Sequence, residues 1–137
     1  MANKAEIRIV EKAKILIVDD ERDLVDAYVR LLERAGHRCV GAFGAREAIE
    51  LIDSELPDLV LTDVSLPDSN GLEVIRHLRA KSALVPIIVM SGHNTQGVNE
   101  AARAAGANLC LLKPVSIAEL KRVIGDALAR YRAAHTG

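Results

Sequence analysis

The chain has 137 residues, 18 basic and 19 acidic for a formal net charge of −1, with half of its residues hydrophobic and 27% charged. That is the size of one ordinary domain, and the apolar content excludes a disordered or fibrous chain. Balanced charge excludes a nucleic-acid or membrane footprint held by bulk charge. With aromatics at 2%, namely Tyr28, Phe43 and Tyr131, there is no material for a base-stacking platform or an aromatic cage.

Residues 1–13 alternate charged and apolar side chains without the unbroken apolar run of a signal peptide, and read as an N-terminal extension. The domain itself is expected over residues 14–132, with 133–137 as a tail. No stretch approaches the length of a membrane span. Cys39 and Cys110 are too few and too far apart for a disulfide framework or a zinc site, so a reducing, cytosolic setting is expected.

In chain order, Ile15-Leu16-Ile17-Val18 is the first short apolar run, of the kind found where a sheet is covered on both faces. Leu24, Tyr28, Leu31, Leu32 and Ala35 then recur at helical spacing, with Gly36 as the stop. Arg38-Cys39-Val40 is shorter and mixed, as an edge strand would be. Ala48, Ile49 and Ile52 mark a second helix, and Leu59-Val60-Leu61 a third strand. A helix carrying Leu72, Ile75 and Leu78 leads to Ile87-Ile88-Val89-Met90. The next helix presents Val98, Ala101, Ala102 and Ala105 and stops at Gly106, ahead of Leu109-Cys110-Leu111-Leu112. Ser116 with Glu119 three residues on has the form of a capping box, and opens a last helix with Leu120, Ile124, Ala127, Leu128 and Tyr131 on one face. Five strands alternating with five helices imply an α/β fold with a parallel sheet sandwiched between helical layers.

Ligands of such sheets bind beyond the carboxyl ends of the strands. Those ends carry Asp19-Asp20-Glu21, Asp63, Ser91-Gly92 and Lys113-Pro114. Each has an ordinary reading alone: a helix cap, a turn residue, a solvated lysine. Together they describe something else. Clustered carboxylates repel unless a cation compensates, and oxygen-only donors suit Mg²⁺ or Mn²⁺. A lysine and a hydroxyl beside such an ion would supply donors to an anion, which is the layout of a phosphoryl-transfer site.

The segments Val18-Asp19-Asp20-Glu21, Asp63-Val64-Ser65-Leu66-Pro67-Asp68-Ser69-Asn70-Gly71, Met90-Ser91-Gly92 and Lys113-Pro114 resemble those of a response-regulator receiver domain, over about residues 14–132. The resemblance implies a flavodoxin-like (βα)5 sandwich with strand order 2-1-3-4-5. It implies that Asp63 accepts a phosphoryl group from a histidine kinase or a histidine phosphotransfer protein. Asp19, Asp20, Asp63 and the Ser65 backbone carbonyl would hold Mg²⁺. Ser91 would turn its hydroxyl to the phosphoryl group, and Lys113, preceding Pro114 across a cis peptide, would pair with it. Phosphorylation would then bias a surface built from the fourth helix, fifth strand and fifth helix. The output would be a target protein or a domain outside this chain, with no direct contact to nucleic acid or membrane; phosphorylation-dependent homodimerisation is left open.

Two positions depart from the family, and one of them, Leu66 where the family often has Met, is a volume-conserving swap of little consequence. Cys110 stands three residues before the lysine, where the family usually has a switch aromatic. A ring-rotation switch cannot operate there in that form, and a cysteine in an apolar strand reads first as a small inert core residue. Ser65 and His93, two residues after Asp63 and Ser91, sit where phosphoryl lifetime would be tuned. His37, His77 and His135 read as surface residues. Ser91-Gly92-His93 lacks the upstream glycine of a nucleophile elbow, neither G-x-G-x-x-G nor a P-loop occurs, and Ser65 replaces the second acid of a haloacid-dehalogenase-like phosphatase. The remaining alternative is a receiver-shaped module that binds its partner without phosphorylation.

Overall fold

A computed structural model describes residues 13–68, 71–92 and 96–136, the side chains of residues 96, 135 and 136 excepted. The first twelve residues, Ser69, Asn70, His93 and the side chain of His135 therefore lie outside the described residues. Among those described, the chain runs β1 (Lys14–Val18), α1 (Arg22–Arg34), β2 (Arg38–Ala42), α2 (Ala45–Ser54), β3 (Leu59–Asp63), α3 (Leu72–Lys81), β4 (Ile87–Ser91), α4 (Gln96–Ala105), β5 (Leu109–Leu112) and α5 (Ile117–Thr136). The sheet is parallel with order β2-β1-β3-β4-β5, as expected. Ala13, assigned to the extension from the sequence, is fully buried, and its carbonyl accepts the Arg38 N–H at 2.9 Å.

The apolar runs become strands because both faces of each have somewhere to go. Ile15, Ile17, Leu59, Leu61, Ile88 and Met90 alternate onto one face, under Val25, Tyr28 and Leu32 of α1 and Leu120, Ile124 and Leu128 of α5. Leu16, Val18, Val60, Ile87 and Val89 point the other way, onto Ala48 and Ile52 of α2, Ile75 and Leu78 of α3, and Ala102 of α4. Each fully buried Leu or Ile contributes about 1.5–3 kcal/mol of transfer free energy, so the central strands cannot slip register without exchanging the two cores. β2 and β5 are the edges and are only partly buried.

The helices end where the glycines predict. Gly36 and Gly106 hold φ of 100° and 124°, a left-handed region that any β-carbon disfavours. The helix faces need correction in detail. In α1 the buried residues are Val25, Tyr28 and Leu32, while Leu24 and Leu31 are only partly covered and Ala35 is exposed. Val74 joins Ile75 and Leu78 in α3, and Val123 joins the α5 face; Leu72, Ala127 and Tyr131 sit at the margins. Half of the expected capping box is present. The Glu119 N–H donates to Ser116 Oγ at 3.1 Å, whereas the Glu119 carboxylate lies 3.9 Å from Arg122.

At the end of the sheet where the strands begin, Arg79 of α3 binds several loops together. Its guanidinium donates to the carbonyls of Gly106 (3.0 Å), Ser82 (3.2 Å) and Val85 (2.7 Å) and to Asn108 Oδ1 (2.8 Å), which also accepts the Ile87 N–H at 2.7 Å. His37 lies at the same end. It is half-buried rather than a free surface residue, and Nδ1 accepts the Ala13 N–H at 3.3 Å. Burial, assisted by Arg132, holds its pKa below the ordinary 6.5. A base with a depressed folded pKa contributes stability that is complete above its unfolded pKa and is lost as pH falls through the folded one. His37→Gln, which cannot gain a proton, is expected to flatten the fall in Tm between about pH 7 and 5. Equal slopes in the two proteins would remove His37 from the acid response.

Candidate functional site

The sheet brings Asp19, Asp20, Asp63, Ser91 and Lys113 to one rim. Asp19 directly follows β1. Its N–H still donates to the Ala42 carbonyl at 3.0 Å, which draws the residue into the sheet and buries it completely. Its Oδ1 accepts the Glu21 N–H at 3.0 Å, so it orders the turn into α1 without capping the helix, whose N-cap is Glu21. Asp63 closes β3 and is 8% exposed; its Oδ1 accepts the Ser65 N–H at 3.0 Å. Asp20 is exposed, and one oxygen from each of Asp19, Asp20 and Asp63 lies within 4.8 Å of the others.

Lys113 reaches into this group from the end of β5. Its Nζ lies 2.6 Å from Asp19 Oδ2, 2.9 Å from Asp63 Oδ2 and 3.7 Å from Glu21 Oε1. The Lys113–Pro114 peptide is cis. Burial alone would lower the ammonium's pKa, but the bonds to Asp19 and Asp63 outweigh it and raise the pKa above the ordinary 10.5. The lysine therefore stays charged, and its contribution to stability persists through neutral pH, to be lost only as strongly alkaline pH passes the raised value. Ser91 ends β4 at 5% exposure, and its carbonyl accepts the Lys113 N–H at 2.8 Å. The switch candidate and the lysine thus share a backbone hydrogen bond.

One ammonium faces three clustered carboxylates, with Glu21 a fourth at 3.7 Å, so negative charge is left in excess. A divalent cation with oxygen ligands fits that excess in both charge and donor hardness. Asp19, Asp20 and Asp63 are the side chains that would hold it.

Other residues at the rim carry roles that the sequence did not announce. Gly71 takes helical angles open to any residue (φ −66°, ψ −10°), yet a β-carbon there would lie 2.1 Å from the Asp63 carbonyl oxygen. Its N–H donates to the Val64 carbonyl at 2.7 Å. Asp68 accepts hydrogen bonds from the first two amides of α2. Tyr28 lines an apolar groove of about 480 Å³ that runs between α1 and the segment after Pro114 and reaches Glu21 and Lys113. The signals were there in part: Gly71 and Asp68 close and flank the acidic motif, but neither spacing nor composition says what they touch.

The cysteines are quiet. Burial pushes the Cys39 thiol up to about 12, with Glu33 adding to the effect. Burial also raises Cys110, against the pull of Arg103, and its Sγ lies 4.0 Å from the Asn99 carbonyl of α4. Both shifts disfavour the thiolate, the form in which a cysteine reacts. His77 is paired on the surface, with Nε2 2.7 Å from Asp53 Oδ1, and takes no part in the site.

The profile of the response regulator receiver domain matches residues 15–125. The chain belongs to this family. Among curated proteins, this receiver domain is 38% identical over 120 residues to the response regulator MprA of Mycolicibacterium vanbaalenii, covering 88% of this chain and 49% of that protein. It is 34% identical over 120 residues to the transcriptional regulatory protein PdtaR of Mycobacterium tuberculosis, covering 87% and 58%. The receiver domain thus spans about half the length of these relatives. A CheY-like response regulator receiver domain protein from Methanospirillum hungatei JF-1 superposes with a TM-score of 0.87 at 27% identity, covering 90% of this chain and 99% of that one. The acidic pocket is the two-component receiver's, compatible with Mg²⁺ and with aspartyl phosphorylation. Among the described residues no helix is long and apolar enough to cross a membrane.

Proposed function

We propose that this receiver accepts a phosphoryl group on Asp63 from the phosphohistidine of a kinase or phosphotransfer protein, and that the acyl phosphate switches a protein-binding surface. The observation that carries this is the Asp63 carboxylate, nearly buried at the rim and already held on one oxygen by the Ser65 N–H and on the other by Lys113. A fixed, oriented carboxylate lowers the entropic part of an in-line displacement. In that step an Asp63 oxygen bonds to phosphorus, the donor's N–P bond breaks, and the released imidazole nitrogen takes up a proton. Mg²⁺, when bound, would neutralise charge on the transferring group. Lys113 would offer its ammonium to a phosphoryl oxygen, and Ser91 its hydroxyl to another, drawing in the end of β4.

The groove beside the site supports a protein donor. Leu24, Ala27, Leu31 and Ile117 present an apolar surface that ends at Lys113, where a partner's helix could lie while its phosphohistidine faces Asp63. Cys110 supports a switch carried by main-chain movement at Ser91 and Lys113, since it has no ring to rotate. A cytoplasmic setting follows for a domain fed by a kinase.

Mixing the protein with Mg²⁺ and acetyl phosphate and recording intact mass promptly is expected to show one added phosphoryl group. The adduct should be absent with Asp63→Asn and without Mg²⁺. No adduct in the wild type, with Mg²⁺ binding demonstrated and decay followed at short times, would favour a module that binds its partner without phosphate.

A further inference from the structure

The N-terminus of α2 has no cap of its own. Its N-cap residue is Gly44, with extended backbone (φ −163°, ψ 172°) and no side chain to offer. The acceptor comes from elsewhere: Asp68 Oδ1 takes the Ala45 N–H at 2.8 Å and Oδ2 takes the Arg46 N–H at 3.0 Å. Both oxygens of one carboxylate are used, in charge-assisted bonds at the positive end of a helix. These bonds hold the Asp68 carboxyl below the usual carboxylate range. A β-carbon at position 44 would lie 2.9 Å from Asp68 Oδ1, so the approach depends on the glycine.

Asp68 lies in the loop that leaves Asp63. Near its origin that loop is tied by the Ser65 N–H to Asp63 Oδ1 and by the Gly71 N–H to the Val64 carbonyl. Val64 and Leu66 rest on the core cluster that contains Ala45 and Ala48 of α2. The Asp68 bonds are the outer tie of the same loop. We infer that Asp68 is a positioning residue for the Asp63 carboxylate: by anchoring the loop to the first amides of α2, it holds Ser65 where its N–H orients Asp63. The inference rests on the reading of Asp63 as the reactive carboxylate. It differs from a simple helix cap in predicting effects at Asp63, five residues before Asp68 in the chain and not bonded to it.

Three variants separate the two roles. Asp68→Ala removes both acceptors, Asp68→Asn keeps one, and Glu47→Ala removes a different tie at the same helix end, the 2.9 Å bond from the Phe43 N–H to Glu47 Oε1. For each, Mg²⁺ affinity is measured by titration calorimetry, exchange of the Ser65 and Gly71 amides by NMR, and loading by acetyl phosphate. Asp68→Ala is expected to weaken Mg²⁺ binding and slow loading by up to about tenfold, the low end for loss of a group bonded directly to a metal ligand, since Asp68 acts one step further out, and to speed exchange at both amides. Asp68→Asn should fall between Asp68→Ala and wild type, and supplies the comparison if the alanine variant does not fold. Glu47→Ala should lower Tm yet leave Mg²⁺ affinity and the two amides unchanged. If the Asp68 variants lower Tm while Mg²⁺ affinity and both amides stay as in wild type, Asp68 is a helix cap only. If wild-type protein binds Mg²⁺ but never takes up phosphoryl groups, the phosphoacceptor reading fails on its own, and the affinity and exchange data still decide the role of Asp68.

Discussion

Gly71→Ala should lower stability by about 3 kcal/mol or more, and Tm by roughly 10 °C. The sign is the opposite of what helix propensity gives. Gly71 precedes α3 in helical conformation, where alanine ordinarily gains about 0.4–1 kcal/mol over glycine. Space, not conformational freedom, makes the glycine necessary: the new carbon would sit 2.1 Å from the Asp63 carbonyl oxygen and 2.9 Å from the Val64 α-carbon. Both are backbone atoms, so no rotamer change relieves the clash. Either β3 or the start of α3 must move, and both carry buried residues. Loading by acetyl phosphate should drop in parallel, because the atom displaced belongs to Asp63. Denaturant unfolding together with a loading assay checks both parts. A variant as stable as wild type would mean that the loop relaxes at little cost.

Lys113→Ala should reduce phosphoryl loading by about 100-fold or more, the range seen when one preorganised donor to a developing anion is removed. It also leaves fully buried Asp19 facing Asp63 with their shared cation gone. Breaking an enclosed pair costs about 3–5 kcal/mol, but this lysine keeps 15% of its side chain exposed and water reaches the rim, so about 2 kcal/mol is expected. Added Mg²⁺ should then raise Tm more in the variant than in wild type, because the ion takes over the charge compensation. Lys113→Arg separates charge from shape. It should restore most of the stability yet load poorly, since a planar guanidinium cannot stand in for a compact ammonium between two carboxylates. Equal Mg²⁺-induced Tm gains in wild type and Lys113→Ala would show that the lysine does not balance this cluster.

The strands were readable because parallel strands covered on both faces need unbroken apolar runs, and Ile15–Val18 and Ile87–Met90 are such runs. The rim followed, since strand ends in this topology share one edge; Asp19 and Lys113 meet across 94 positions of sequence for that reason alone. Helix faces were legible only to within a residue. Leu24 and Leu31 fit the α1 stripe as well as Val25 does, but they border the groove beside Lys113 while Val25 faces the sheet. Periodicity gives the width of an apolar stripe and not which margin is packed. The roles of Asp68 and Gly71 were out of reach for another reason. Asp68 bonds to amides 22 and 23 residues earlier, and Gly71 is constrained by a carbonyl oxygen; neither leaves a local signature.

The Arg79 clamp bears on how the site can communicate. It grips the Gly106 carbonyl just past the C-terminus of α4, and ties that point to Ser82, Val85 and Asn108 at the edge of the sheet opposite the carboxylates. A helix of ten residues is about 15 Å long, so a tilt of roughly 10° about the gripped end sweeps the other end through roughly 2.5 Å. That other end adjoins the loop leaving Ser91. On the proposed switching, α4 would act as a lever held at Gly106, with the clamp fixing the end that stays still while the end nearer the rim moves.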